Sequence, residues 1–317
     1  MSDYLFDKDG RPDPEVARLE RLLEGYRYRG GLPARQRHRQ RPRRRTLIAS
    51  TAALAIAAAS IGIWLWLRRP DDRWAVEPLS GSPRCGGGPC AGLGPEDWLE
   101  TDPSSRARVK VARYGHLDVE PGTAIRRRAA VGQERLALLH GTVSAQVAAP
   151  PRLVVIETAS ARAVDLGCAY TLSVDAVGEG RLRVTSGWVA LEAPDGSVFV
   201  PRGAEAALHA GAAPGTPMFA DASAALRGAI DRVDAALATG ALDEQALALA
   251  LASAGLRDTL SLYNLLPRLP AAAREAVLDR MLALGAPVPP DVPRATILGA
   301  DPDALERWRH TLSAIWL

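Results

Sequence analysis

Cysteine is almost absent from the 317-residue chain, which holds only Cys85, Cys90 and Cys168. So sparse a set excludes a scaffold in which cross-links replace a hydrophobic core. Aromatic residues reach only 5%, too few for the stacking platforms that hold single-stranded nucleic acid. Histidine is scarce too: His38, His116, His140, His209 and His310 are scattered along the chain. No His-Glu-x-x-His helix, Gly-x-Ser-x-Gly elbow or dinucleotide fingerprint occurs. Gly86-Gly87-Gly88 lacks the lysine that a phosphate cradle uses. No cofactor and no metal is expected, and the chain reads as a protein that is not an enzyme.

What is present is an apolar content of 47%, enough for a substantial core, and a very uneven charge. Residues 1–25 carry 4 basic and 7 acidic side chains, residues 26–45 carry nine arginines and no acid, and residues 46–67 carry no charge at all. That uncharged run, TLIASTAALAIAAASIGIWLWL, would extend about 33 Å as a helix, against roughly 30 Å for a bilayer core. Trp64 and Trp66 sit at its far end, as interfacial anchors do. An uncleaved single span is therefore expected. The basic block Arg35, Arg37, Arg39, Arg41, Arg43, Arg44 and Arg45 is read as the lipid-headgroup contact that keeps the N-terminus cytoplasmic. Direct nucleic-acid binding is not expected of it.

Ahead of that block, Asp13, Pro14 and Glu15 form a helix start. Val16, Leu19, Leu22, Leu23 and Tyr26 then recur on one helical face. A lone helix of this length is marginal in water, so its stripe requires a partner. Glu15, Glu20 and Glu24 disfavour an anionic membrane surface and favour a protein groove.

Beyond the apolar run, residues 68–105 read as a Pro/Gly-rich linker. Within it Cys85 and Cys90 are a possible disulfide in an oxidising compartment, while Cys168 is left either as a buried thiol or as a competitor for that pairing. Residues 106–208 alternate with period two between turn residues, predicting an all-β domain, either a sandwich or a rolled solenoid-like sheet. Residues 221–317 turn Ala/Leu-rich with helical spacing and capping residues, predicting a small α-helical domain. The fold class expected is thus a single-pass membrane protein with an all-β outer domain followed by a small α-helical domain, and residues 1–45 form the cytoplasmic tail.

The β segment carries Pro121-Gly122-Thr123, then Arg135-Leu136-Ala137-Leu138 leading into Gly141-Thr142-Val143. Leu166-Gly167-Cys168-Ala169-Tyr170 follows, and Val184 with Ser186-Gly187-Trp188-Val189 closes the series. In order and spacing this resembles the FecR domain of bacterial transmembrane anti-sigma regulators, with Leu166, Gly167, Cys168 and Tyr170 standing for a Leu-Gly-Thr-x-Phe core and Cys168 replacing the usual Thr. Gly141, Gly187 and Trp188 complete the motif and are read as structural. The resemblance covers about a third of the chain. It implies an inner-membrane regulator whose cytoplasmic helix holds an alternative sigma factor and whose periplasmic domain meets a periplasmic or outer-membrane signalling protein or envelope ligand. The alternative from another class is a membrane-tethered periplasmic scaffold or envelope-binding module.

Overall fold

The computed structural model describes residues 18, 73–86 and 88–316. The chain divides into two compact units, Met1–Arg69 and Pro70–Leu317, and the account below concerns the second. Its strands begin with β1 (Trp74–Ser80), β2 (Arg84–Cys85), β3 (Gly88–Pro89), β4 (Gly92–Leu93), β5 (Trp98–Glu100) and β6 (Arg106–Val111). They continue with β7 (Gly115–Val119), β8 (Ala124–Arg128), β9 (Glu134–Val147), β10 (Val154–Glu157), β11 (Arg162–Asp165) and β12 (Ala169–Val174). The last are β13 (Gly180–Ser186), β14 (Trp188–Ala193), β15 (Gly196–Pro201), β16 (Ala204–Leu208) and β17 (Met218–Phe219).

Pairing sorts these strands into two sheets, apart from β4, which pairs with the start of β1. One runs β1-β6-β7-β9-β12-β13-β16-β17. The other runs β3-β2-β5-β8-β9-β10-β11-β14-β15. Every contact is antiparallel except β9 with β10. Alternation then builds one core between the sheets. Leu117, Val143, Leu172 and Val184 from the first sheet and Ile125, Leu138, Ile156 and Leu191 from the second belong to a single buried cluster.

β9 belongs to both sheets. Its first half pairs with β8 and β10, and from Gly141 onward it pairs with β7 and β12. It is a single 14-residue strand that bends at Gly141. Gly141 has φ +97°, and a Cβ on it would lie 2.5 Å from Thr123 Cα. Thr123 Oγ1 fills the bend, accepting from Thr142 N–H at 2.9 Å. Only glycine permits that approach in that conformation.

Residues 74–100, expected as linker, instead form β1 to β5. The prolines and glycines there punctuate short strands rather than abolish them, and Trp74, Leu93 and Leu99 enter the core.

Helices α1 (Ala224–Ala238), α2 (Glu244–Ser253), α3 (Thr259–Leu265), α4 (Ala271–Ala283), α5 (Arg294–Leu298) and α6 (Pro302–Trp316) complete the unit. Ser223 Oγ caps α1 by accepting from Leu226 N–H, and Asp243 caps α2 by accepting from Ala246 N–H. A short 3-10 turn, Leu266–Arg268, carries Pro267 where α3 stops.

The expected single-pass membrane class is corrected to a mostly β domain with a C-terminal helical region. No helix among the described residues is long and apolar enough to cross a membrane. The longest, α1 and α6, have 15 residues each and carry charges such as Arg232 and Arg307; at 1.5 Å per residue they reach only about 22 Å. The run 46–67 on which the expectation rested lies outside the described residues.

Two glycine substitutions separate a required glycine from a dispensable one. Gly141→Ala is expected to cost about 2–4 kcal/mol through clash and left-handed strain. Gly228→Ala, in the exposed interior of α1 with nothing within 4 Å of the added Cβ, is expected to stabilise by about 0.5–1 kcal/mol. Urea denaturation of the two variants reads both.

Candidate functional site

The residues singled out in the sequence separate into three groups. Val16, Leu19, Leu22, Leu23 and Tyr26, with Arg35, Arg37, Arg39, Arg41, Arg43, Arg44 and Arg45, lie outside the described residues. Cys85 and Cys90 are joined by a disulfide that closes the β2–β3 hairpin against the core. Cys168 stays a free, buried thiol. The remaining motif residues, Gly141 apart, meet at one place.

That place is a corner where the chain passes twice from sheet to sheet. Between β11 and β12 it turns through Leu166, Gly167 and Cys168, and between β13 and β14 it turns at Gly187. The two turns are back to back. A Cβ on Gly187, which has φ +68°, would collide with the Gly167 carbonyl oxygen and lie 3.1 Å from Cys168 Cα. Leu166 N–H donates to the Trp188 carbonyl at 3.3 Å, and Val147 N–H donates to the Cys168 carbonyl at 3.0 Å. Tyr170 is buried in the core, and Leu166 packs on the outer face of its sheet with Val155, Val164 and Ala190. Cys168 fits where the resemblance expects Thr because a small thiol can be buried and still donate a hydrogen bond.

Trp188 links this corner to the helices. Its ring centroid lies 6.1 Å from that of Trp316 on α6, and Trp316 lies 5.5 Å from Tyr263 on α3. Trp316 Nε1–H donates to Thr259 Oγ1 at 3.0 Å. Asn264 Oδ1 accepts from the backbone N–H of Phe199 on β15 at 3.2 Å, and the Arg309 guanidinium sits 4.3 Å from the Phe199 ring centre. The helical region is thus seated on the β14–β15 hairpin through aromatic packing and a capped strand edge.

Two acidic residues escaped the sequence reading. Asp165 ends β11 directed into the core, where its Oδ1 accepts from Gly167 N–H and from the Cys168 thiol at 3.0 Å. Its signal was an acid among the apolar residues Ala163, Val164 and Leu166, just ahead of a turn glycine. Glu205 on β16 is 5% exposed and accepts from Arg181 and Arg183 on β13, each at 2.9 Å, and from Arg227 on α1 at 2.7 Å. No local pattern marks it, because its partners come from 22 or more residues away.

The electrostatics follow the surroundings. Burial alone pushes the Glu205 carboxyl up, but the Arg183 hydrogen bond, the Arg181 charge and the Arg227 hydrogen bond outweigh it and hold it below the usual carboxylate range. Burial pushes the Cys168 thiol far up, with the Asp165 charge adding to it, so this cysteine is a neutral thiol rather than a nucleophile. Among the described residues, no three His, Cys, Asp or Glu side chains are grouped to hold a metal ion.

No family model and no curated protein matches the chain. Two crystal structures of a candidate anti-sigma factor from Parabacteroides distasonis, at 2.50 Å and 1.65 Å resolution, are similar to it at 12% identity and a TM-score of 0.34. They cover 42% of this chain, which in turn spans 62% and 63% of theirs, about three fifths of their length. At that TM-score the likeness decides neither fold nor function.

The Glu205 cluster generates a prediction with a definite sign. A carboxyl held low in the folded state contributes stability above its unfolded pKa and loses it as pH falls through the lowered folded value. Glu205→Gln is expected to remove that acid-sensitive component, so that wild type and variant converge in stability as pH falls through the lowered folded value. Glu205→Ala at neutral pH is expected to cost about 2–3 kcal/mol. Urea midpoints measured across pH 3 to 7 check both.

Proposed function

We propose that the chain is a regulator of the anti-sigma type, in which the N-terminal helix presents Val16, Leu19, Leu22, Leu23 and Tyr26 to the groove of an alternative sigma factor. In this reading the β domain with its helical region is the part that receives a signal or a partner protein. The observation that carries it is the corner: Leu166–Tyr170 and Ser186–Trp188, two parts of the FecR-like motif, stack on one another. The motif's order is then the order of sheet-to-sheet passages, which supports the resemblance over a chance series of glycines. Fold alone does not supply function, so the sigma-factor contact rests on the stripe of the N-terminal helix.

A second reading is compatible with the disulfide, as the first is with a periplasmic β domain. A cross-link between Cys85 and Cys90 persists in an oxidising compartment, which suits an envelope-binding module whose N-terminal segment serves no partner.

The two readings part on one experiment. A purified alternative sigma factor from the same organism is titrated against the full chain and against the Leu19→Asp, Leu23→Asp double variant. Burying two leucines contributes about 3–6 kcal/mol, so the regulator reading expects affinity to fall by about 100-fold or more. Equal affinity for both chains removes the helix from the mechanism, and no binding by either leaves the envelope module.

A further inference from the structure

One buried group at the motif corner has no part in the regulator reading. Strand alternation turns Ala163 and Asp165 of β11 toward the core and Val164 away from it. Tyr170 of β12 enters the same interior from the other sheet, and Asp165 and Tyr170 are each 1% exposed. Asp165 Oδ1 is satisfied by Gly167 N–H and the Cys168 thiol. Asp165 Oδ2 and Tyr170 Oη, both buried, have no hydrogen-bond partner among the described residues.

Among the described residues no cation offsets a charge there. The strands flanking β11 present Ile156 of β10 and Val189 and Leu191 of β14 to the interior. Arg152 meets Asp165 only through the main chain, its N–H donating to the Asp165 carbonyl at 2.8 Å, while its guanidinium pairs with Glu192. Cys168 and Tyr170 are the titratable side chains facing the carboxyl, and both are neutral because burial pushes each of them far up. An ionised Asp165 would therefore keep one bare, charged oxygen inside an apolar core, an arrangement that folded proteins avoid.

We propose that Asp165 is a proton-operated latch: neutral, it keeps the β11–β12 corner closed and α6 docked, and ionised, it draws water into the corner and frees both. A chain of contacts joins the corner to α6. Leu166 N–H holds the Trp188 carbonyl, Gly187 rests on Gly167 and Cys168, and Trp188 packs on Trp316 of α6. The proton leaves to bulk water, and the hydrated carboxylate cannot refit the interior. Burial also pushes the Asp165 carboxyl above its ordinary value, against the hydrogen bonds from Cys168 and Gly167. With the folded value raised, stability falls as pH climbs from the unfolded pKa to the folded one.

The test is amide hydrogen exchange by mass spectrometry on the full chain from pH 4 to 8, corrected for the intrinsic pH dependence of exchange. Peptides covering 162–170 and 302–316 are expected to open together along a one-proton curve, up to tenfold per pH unit. Asp165→Asn, which cannot ionise, is expected to remain closed throughout. Because that variant places an amide in the core and has its own folding risk, the wild-type Asp165 carboxyl carbon is titrated by NMR with aspartate-selective labelling, and a midpoint above 3.8 is expected. The latch is overturned by a midpoint at or below that value, by the same exchange profile in folded wild type and Asp165→Asn, or by a corner that opens while 302–316 stays protected.

Discussion

A strand shared by two sheets must bend where its backbone passes close to another strand, and the architecture of this protein depends on that bend in β9. At Gly141 the backbone comes so near Thr123 that no side chain fits, and its φ of +97° is one that few L-residues adopt. The sheets are closed against one another by further passages at Gly167–Cys168 and at Gly187, where one turn lies directly on the next. Removing the side chain at these positions lets the sheets approach closely enough to share one core, and the buried leucines and valines on both inner faces provide the hydrophobic gain.

The helical region depends on the same corner for its seat. Trp188 begins β14 immediately after Gly187, so the passage that shapes the sheets also aims the indole at Trp316. Asn264 occupies the free N–H of Phe199 on the outermost strand of that sheet, which removes an edge that could pair with another chain. On the other sheet, Glu205 ties β13 and β16 to α1 through three arginines, one of them more than two-thirds buried. Apolar contact supplies most of the adhesion in such a joint, and the buried carboxylate supplies its direction, since only one placement satisfies all three partners.

The readable parts of the sequence were those governed by short-range rules. Alternation in Arg108–Val111 and His116–Val119 gives strands, and Asp243 begins a helix because its side chain reaches a backbone N–H three residues on. The same rules leave Gly141 as a turn or bulge glycine, because a left-handed glycine looks identical in sequence whether a strand ends or bends. They misread residues 74–100 as linker, because four of the five strands there have only two or three residues and no period to detect, β1 carries Pro78, and the strands owe their existence to pairings such as β5 with β8 and β1 with β6. Asp165 and Glu205 were passed over because charge in a strand ordinarily faces water, and only the fold turns the one inward and gathers arginines around the other.

By itself the sequence determined which segments alternate, which are helical, where caps and turn glycines stand, and that an apolar stripe near the N-terminus has no local partner; each of these depends on residues within a few positions of one another. Tertiary structure alone decided that β9 serves two sheets, that the motif glycines lie back to back, and that Asp165 is enclosed without a counter-charge. Those outcomes depend on contacts between residues about twenty or more positions apart, such as Thr123 with Gly141 and Gly187 with Gly167, and no local pattern carries the energy of a contact that only chain closure creates.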